Sequence, residues 1–211
     1  MIDPARQAHW EGVYTARGEK EVSWYQDSPA PSLELIALAG ASRGSRIIDI
    51  GGGASRLVDH LLAQNFERVT VLDLSAAALE AAKARLGGKA KKVRWEVSDV
   101  TQWNPPANYD IWHDRAAFHF LTATADQSAY ADRVRRAVKA GGHVIIGTFA
   151  PDGPERCSGL PIVRHDAASI SAILGPDFDL IDTRRHDHVT PWNAVQRFQF
   201  SMFRRAGGTL G

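Results

Sequence analysis

The sequence predicts a doubly wound α/β domain, with a mainly parallel sheet, helices on both faces and an antiparallel C-terminal hairpin. Three observations carry this reading. From residue 46 onward, short apolar runs rich in β-branched residues alternate with segments of helical spacing. A glycine-rich turn, Gly51-Gly52-Gly53, separates the first apolar run from the segment that follows it. The last two extended runs, 178–185 and 195–203, have only a loop containing Thr190-Pro191-Trp192-Asn193 between them. They are therefore expected to pair as a hairpin, which needs no crossover helix.

Taken in order, residues 1–45 precede the alternating pattern and are expected to form an N-terminal cap or lid on a core at 46–211. Residues 1–30 are polar and aromatic without a sustained period. Ser32 to Ala39 places Leu35, Leu38 and Ala39 at helical spacing and stops at Gly40. Arg46 to Ile50 is nearly continuously apolar, as expected of a strand covered on both faces. Ser55–Asn65 reads as a helix with Leu57, Leu61 and Leu62 inward, and Val69–Leu72 as a strand ending in Asp73. Ala76–Leu86 reads as a helix capped by Ser75 and stopped by Gly87-Gly88. Val93–Val97 and Tyr109–Trp112 are strands. A helix over Asp126–Ala140 sets Tyr130, Val134 and Val138 four apart. A strand at Gly142–Phe149 and a helix at Asp166–Leu174, ended by Gly175-Pro176, lead into the hairpin. The strands so read number seven.

The 211 residues suit one domain, and 44% hydrophobic content supports a buried core. Lys plus Arg number 25 and Asp plus Glu 24, a net charge of +1. With basic pairs scattered along the chain, that balance argues against a partner bound by neutralising many phosphates, so nucleic acid is not expected. Cys157 is the single cysteine, which excludes an internal disulfide and fits a reducing compartment. No apolar run reaches the roughly 18 residues of a membrane span. Met1-Ile2-Asp3-Pro4 lacks the pattern of a secretory leader. The expectation is a cytoplasmic protein without a membrane partner. His186-x-His188 lacks the further ligands a metal needs, so no metal is expected.

The turn Asp49-Ile50-Gly51-Gly52-Gly53-Ala54-Ser55-Arg56 carries the strongest chemical signal. Glycines there let a ligand approach the backbone, and the next helix begins with partial positive charge. Asp73 lies twenty residues after Gly53 and can accept hydrogen bonds from both hydroxyls of an adenosine ribose. Three readings remain open: a dinucleotide, an adenosyl cofactor that carries an amino acid, and a tight turn with no ligand. A dinucleotide wants a third glycine where Arg56 stands. The amino-acid cofactor wants an acidic residue before the glycines, which Asp49 supplies.

These motifs resemble those of class I S-adenosylmethionine-dependent methyltransferases over residues 20–205. Ile47 to Gly53 is similar to the first motif of that family and Val71-Leu72-Asp73-Leu74-Ser75 to its second. Ser98-Asp99-Val100 resembles the acidic position after the third strand, and Tyr109 to Asp114 the fourth strand with its loop. Ser55 stands where the commonest version has another glycine. The resemblance implies a Rossmann-like seven-stranded sheet, S-adenosylmethionine as cofactor, and methyl transfer to a small-molecule or protein acceptor. It implies that Asp49, Gly51, Gly53 and Ser55, with Gly52 and Arg56 in the same turn, hold the methionine part. Asp73 would hold the ribose, Leu74, Asp99 and Val100 would frame the adenine, and His113 and Asp114 would close the far side. Lys20 to Tyr25 is similar to a stretch in methyltransferase-like protein lysine methyltransferases, while Trp112-His113-Asp114-Arg115-Ala116 departs from them. The alternatives from other classes are a nicotinamide-dependent oxidoreductase and a non-catalytic adenosyl-binding module.

Several residues outside the glycine turn are candidates for the chemistry. Trp24 and Tyr25 would form a lid against the cofactor, where an aromatic face can stabilise a sulfonium by about 0.5–2 kcal/mol. Asp114 and His119 lie at the carboxyl end of the fourth strand, where open α/β sheets place their sites. They are the candidate catalytic residues, with His119 as an acceptor-side base. Arg115 could equally tie down this loop through a carboxylate, and Cys157 could touch substrate.

Overall fold

In the computed structural model, which describes residues 4–207, nine strands and six α-helices follow one another in the chain. They are α1 (Pro4–Ala16), α2 (Ala30–Leu38), β1 (Arg46–Ile50), α3 (Leu57–Ala63), β2 (Arg68–Asp73), α4 (Ala76–Leu86), β3 (Val93–Val97) and β4 (Tyr109–Arg115). Then come α5 (Thr124–Ala137), β5 (Val138–Phe149), β6 (Arg156–Cys157), β7 (Leu160–Pro161), α6 (Ala167–Leu174), β8 (Phe178–Val189) and β9 (Val195–Arg205). Met1, Ile2 and Asp3 of the expected cap, and residues 208–211, lie outside the described residues. Among the described residues, no helix is long and apolar enough to cross a membrane.

Seven strands form one sheet in the order β3-β2-β1-β4-β5-β9-β8, and β6 pairs with β7 separately. The first five strands are parallel, and β9 runs antiparallel to both β5 and β8. The chain leaves β1 toward β2 on one side and returns to β4 on the other. That reversal opens a crevice above the carboxyl ends of β1 and β4, where doubly wound sheets place ligands.

Strand alternation explains the continuous apolar runs. Ile47, Ile111 and Ile145 face α2, α3 and α4 through Leu35, Ile36, Leu57, Leu61 and Leu79. Ile48, Ile50, Trp112 and Ile146 face α5 and α6 through Tyr130, Val134, Ile170 and Leu174. Each of these central strands, β1, β4 and β5, thus feeds two apolar layers.

Several elements differ from expectation, among them the unexpected β6–β7 hairpin and β8, which runs to Val189. Helix α1 carries no buried residue, so it leaves no apolar period in the sequence. The expected cap at 1–45 divides. Helix α2 buries Leu35 and Ile36 in a core layer, and α1 with the segment to Gln26 covers the crevice. Helix α5 ends at Ala137, because Val138 pairs with Tyr109 and opens β5. Strand β4 runs three residues past Trp112 to Arg115, which fixes the faces its side chains take.

Helix α1 is fastened to α4. The Glu11 carboxylate accepts from Ala76 N (2.6 Å), Ala77 N (3.0 Å) and Ser75 Oγ (3.1 Å), while Ser75 Oγ accepts from Ala78 N (3.1 Å). A carboxylate on these free amides is favoured by hydrogen bonding and by the helix dipole. Glu11→Ala is expected to cost about 1 kcal/mol and to speed proteolysis within residues 4–26. Unchanged cleavage would show that α1 is held by its aromatic contacts instead.

Candidate functional site

The glycine turn sits at the floor of the crevice. Gly51 N and Gly52 N both approach Leu72 O, at 2.8 and 3.3 Å, which folds the turn back over β2. Gly51 adopts φ +64°, and a Cβ there would lie 2.6 Å from Ala117 Cβ. The bare backbone is what lets the turn and the loop after β4 pass this closely. Ala116 in that loop also has positive φ, 67°. It donates to Gly147 O at 2.8 Å, tying the loop to β5.

Two adjoining cavities open over this floor. Counted with the open space at their mouths, the first spans about 740 Å³ and the second about 550 Å³. The first is lined by Leu72, Asp73, Leu74, Asp99 and Val100 from the β2 and β3 ends, and by Phe120, Leu121 and Cys157 opposite. The second is lined by Asp49, Gly52, Ser55, Arg56, Tyr25 and His113. Tyr14, Trp24, Gly51 and Arg115 line both.

The roof is aromatic. Trp10 meets Trp24 edge-on at 5.8 Å and Phe120 at 4.9 Å, and Tyr14 meets Trp24 at 6.2 Å. Residues 23–26 are held down from the hairpin. His188 Nε2 donates to Ser23 O (2.6 Å), and Gln26 Nε2 donates to His188 Nδ1 (3.4 Å). Burial depresses His188 to a pKa of about 4, so the ring is neutral and can accept at Nδ1.

The polar groups fall into three sets. Asp73 Oδ1 accepts from Ser75 N at 2.8 Å. Burial pushes its pKa up to about 7, with Asp49 and Glu11 adding repulsion and the Ser75 and Gly53 amides opposing. Asp99 Oδ1 accepts from Thr101 N (2.9 Å) and Oγ1 (2.7 Å), while Oδ2 lies 3.6 Å from Arg6, which also pairs with Asp126 at 2.7 Å. Asp49 Oδ1 bonds His113 Nδ1 at 2.7 Å, and His113 Nε2 bonds Ser32 Oγ at 2.8 Å. Asp49 Oδ2 is buried without a partner.

Of the cofactor-binding expectations, Trp24, Tyr25, Asp49, Gly51, Gly52, Ser55, Arg56, Asp73, Leu74, Asp99, Val100 and His113 all reach a cavity wall. Gly53 stands behind the wall, where its amide bonds Asp73. Arg56 is drawn to Glu19 at 2.7 Å and stacks over the Tyr25 ring at 5.6 Å.

The two catalytic candidates line neither cavity. Asp114 is 0% exposed. Its Oδ1 accepts from Ala117 N (3.0 Å) and Phe118 N (3.1 Å), and its Oδ2 from Tyr130 Oη (2.8 Å). It shapes the loop from beneath, because strand alternation turns it to the face opposite His113. His119 is also 0% exposed and faces Phe149 in the core. Burial depresses its pKa to about 3, far from the range of a general base. Cys157 does line the first cavity, but burial pushes its thiol up to about 12 and leaves it un-ionised. The residues that sequence reading missed are Arg6, Trp10 and Tyr14. Their spacing of four along α1 was the available signal.

The comparisons agree with this fold. Residues 48–144 match the family model described as a methyltransferase domain. A malonyl-[acyl-carrier protein] O-methyltransferase of Ilyobacter polytropus is 27% identical over 138 residues, 64% of this chain and 50% of that protein. The chain spans about half the length of the curated relatives it matches. Among solved structures, the N-methyltransferase NodS of Bradyrhizobium japonicum with S-adenosyl-L-homocysteine superposes with a TM-score of 0.70 at 16% identity, covering 96% of this chain and 99% of that one. A Burkholderia thailandensis 1,6-didemethyltoxoflavin-N1-methyltransferase superposes with a TM-score of 0.73 at 21% identity, covering 98% and 92%.

Proposed function

We propose, from the premise that this chain is a class I S-adenosylmethionine-dependent methyltransferase, that it methylates a small molecule taken up beneath the α1 roof. The observation that carries the cofactor is a pair of carboxylates on either side of the glycine turn. Asp49 offers a buried, unpartnered oxygen to the second cavity, which suits an ammonium. Asp73 faces the first cavity at the end of β2, where it suits a vicinal diol. One ligand bearing both groups would span the two cavities across Gly51. When bound, S-adenosylmethionine supplies an electrophilic methyl carbon on a sulfonium.

The chain's own residues then do three things. Gly51 gives backbone access at the junction of the cavities, and the loop at Ala116-Ala117 packs against it. Trp10, Trp24 and Phe120 exclude water, which keeps donor and acceptor at attack distance in a dry chamber. Asp114 and His113 act as positioning residues, one beneath the loop after β4 and the other behind Asp49. The enclosed aromatic roof favours a small acceptor over a protein side chain. The nicotinamide alternative loses support because Arg56, at its third glycine position, is held by Glu19.

Isothermal titration with S-adenosylhomocysteine is expected to saturate, and Gly51→Ala is expected to weaken it more than tenfold, since its Cβ meets Ala117. Incubation with methyl-labelled S-adenosylmethionine and an extract separated by mass should label the small-molecule fraction. Label confined to the protein fraction would reverse the choice of acceptor. Tight binding with no label anywhere would favour a non-catalytic module.

A further inference from the structure

We propose that Arg115 is a ligand-binding residue whose Nε–H and Nη2–H form a fork for a planar carboxylate in the roofed chamber. Arg115 ends β4 on the same face as Asp49 and His113, and its side chain lines both cavities. Its Nη1 donates to Trp24 O at 2.9 Å, and its Cζ lies 4.9 Å from the Phe198 ring centroid. Those contacts hold the guanidinium plane in place. Nε and Nη2 are buried and have no partner.

The identity of the two unpartnered atoms is what points to a carboxylate. In a guanidinium, Nη1 lies on the Cδ side, so Nε–H and Nη2–H are parallel donors along the other edge. Their spacing matches the two oxygens of a carboxylate, the geometry of side-on bidentate pairing. A buried cation with idle donors is costly to fold around, and nothing beside it supplies the missing charge. Asp49 acts on it only through space, with one oxygen already given to His113. The Cys157 thiol stays neutral in its buried setting. Burial draws the guanidinium pKa down to about 10, and it remains a cation at neutral pH.

Two sources carry this chemistry to the chamber. One is the amino-acid tail of the cofactor, through the second cavity. The other is a carboxylate on the acceptor, through the first. The proposal rests on the methyltransferase reading for the first source only.

The test uses Arg115→Gln and Arg115→Lys, each checked for an unchanged circular dichroism spectrum. The probes are S-adenosylhomocysteine and 5′-methylthioadenosine, which lacks the amino and carboxylate groups. A fork on the cofactor predicts that Arg115→Gln weakens S-adenosylhomocysteine by about 10- to 100-fold and leaves 5′-methylthioadenosine unchanged. Lysine, which keeps the charge and loses the fork, is expected to recover only a small part. A fork on the acceptor predicts no change for S-adenosylhomocysteine. Benzoate or phenylacetate then binds the saturated wild-type complex, their amides do not, and Arg115→Gln abolishes the difference. Equal losses for both nucleosides, or no discrimination between acids and amides once the cofactor arm is silent, overturns the proposal. If the wild type binds neither nucleoside, the methyltransferase reading fails. The acid and amide titrations on the ligand-free protein then decide the fork alone.

Discussion

Affinity for S-adenosylhomocysteine is expected to rise as pH climbs toward 7 and to level off above it, changing by up to about tenfold per unit on the rising limb. The cause is Asp73. Ribose hydroxyls donate, so the ligand needs the ionised carboxylate, and burial holds the Asp73 pKa at about 7 in the free protein. Below that pH a proton must leave before binding. Asp73→Asn should flatten the profile and lower affinity at pH 8 by about 10- to 100-fold. The same residue tilts stability the other way. Its folded pKa exceeds the ordinary carboxylate value near 3.8, so the native state holds more protons than the unfolded chain between roughly pH 4 and 7. Asp73's own contribution to the stability of the ligand-free protein therefore falls across that window as pH rises. His119 and His188, depressed to about 3 and about 4, contribute the opposite slope below about 6.5. The difference between wild type and Asp73→Asn isolates the aspartate. Titrations from pH 5.5 to 8.5, paired with thermal unfolding, measure both effects. A pH-independent wild-type affinity would remove Asp73 from the ribose site.

Asp114→Ala is expected to destabilise the protein by about 3 kcal/mol or more. That corresponds to a fall in Tm of about 6–12 °C for a chain of this size. The substitution strands three donors at once: the buried Tyr130 Oη and Phe118 N and the half-buried Ala117 N. Tyr130 is itself engaged by Trp112 Nε1 at 2.8 Å, so the loss spreads into the core beneath the sheet. Tyr130→Phe should cost less, about 1–2 kcal/mol, because it leaves the two backbone bonds to Asp114 in place. Differential scanning calorimetry of the two variants ranks them, and a smaller loss for Asp114→Ala than for Tyr130→Phe would contradict the network.

The sheet was legible because its strands are short, apolar on both faces and separated by strong stop signals such as Gly87-Gly88 and Gly175-Pro176. The residues around the glycine turn were legible for a related reason: the positions that bind are at strand ends, which the pattern locates to within a residue or two. Asp114 was misplaced because the fourth strand was ended too early, at Trp112. Once β4 reaches Arg115, residues 113 and 115 share one face and 114 takes the other. His119 was misplaced by a single helical turn, in which Phe118 and His119 go inward and Phe120 reaches the cavity. Helix α1 was illegible to hydrophobic periodicity because its contacts are polar and aromatic. Arg6, Trp10 and Tyr14 face the cavity, and Gln7 and Glu11 face the β2–α4 junction. Two stripes at spacing four were present, and neither is apolar enough to mark a core.

The fastening of the roof has a consequence in time. Glu11 bolts α1 to α4, and His188 bolts residues 23–26 to the hairpin, so lifting the roof off the cavities means releasing one of them. Each bolt is a few hydrogen bonds made to a neighbouring element. Their strength therefore governs the frequency of opening more than the depth of the bound state. If ligand passes where the roof lifts, entry and exit slow together, and the roof sets residence time while the carboxylates below set equilibrium affinity. On the proposed reading, in which a spent cofactor leaves after every turnover, the pace of the cycle would then be set in α1 and the hairpin, away from the reacting atoms.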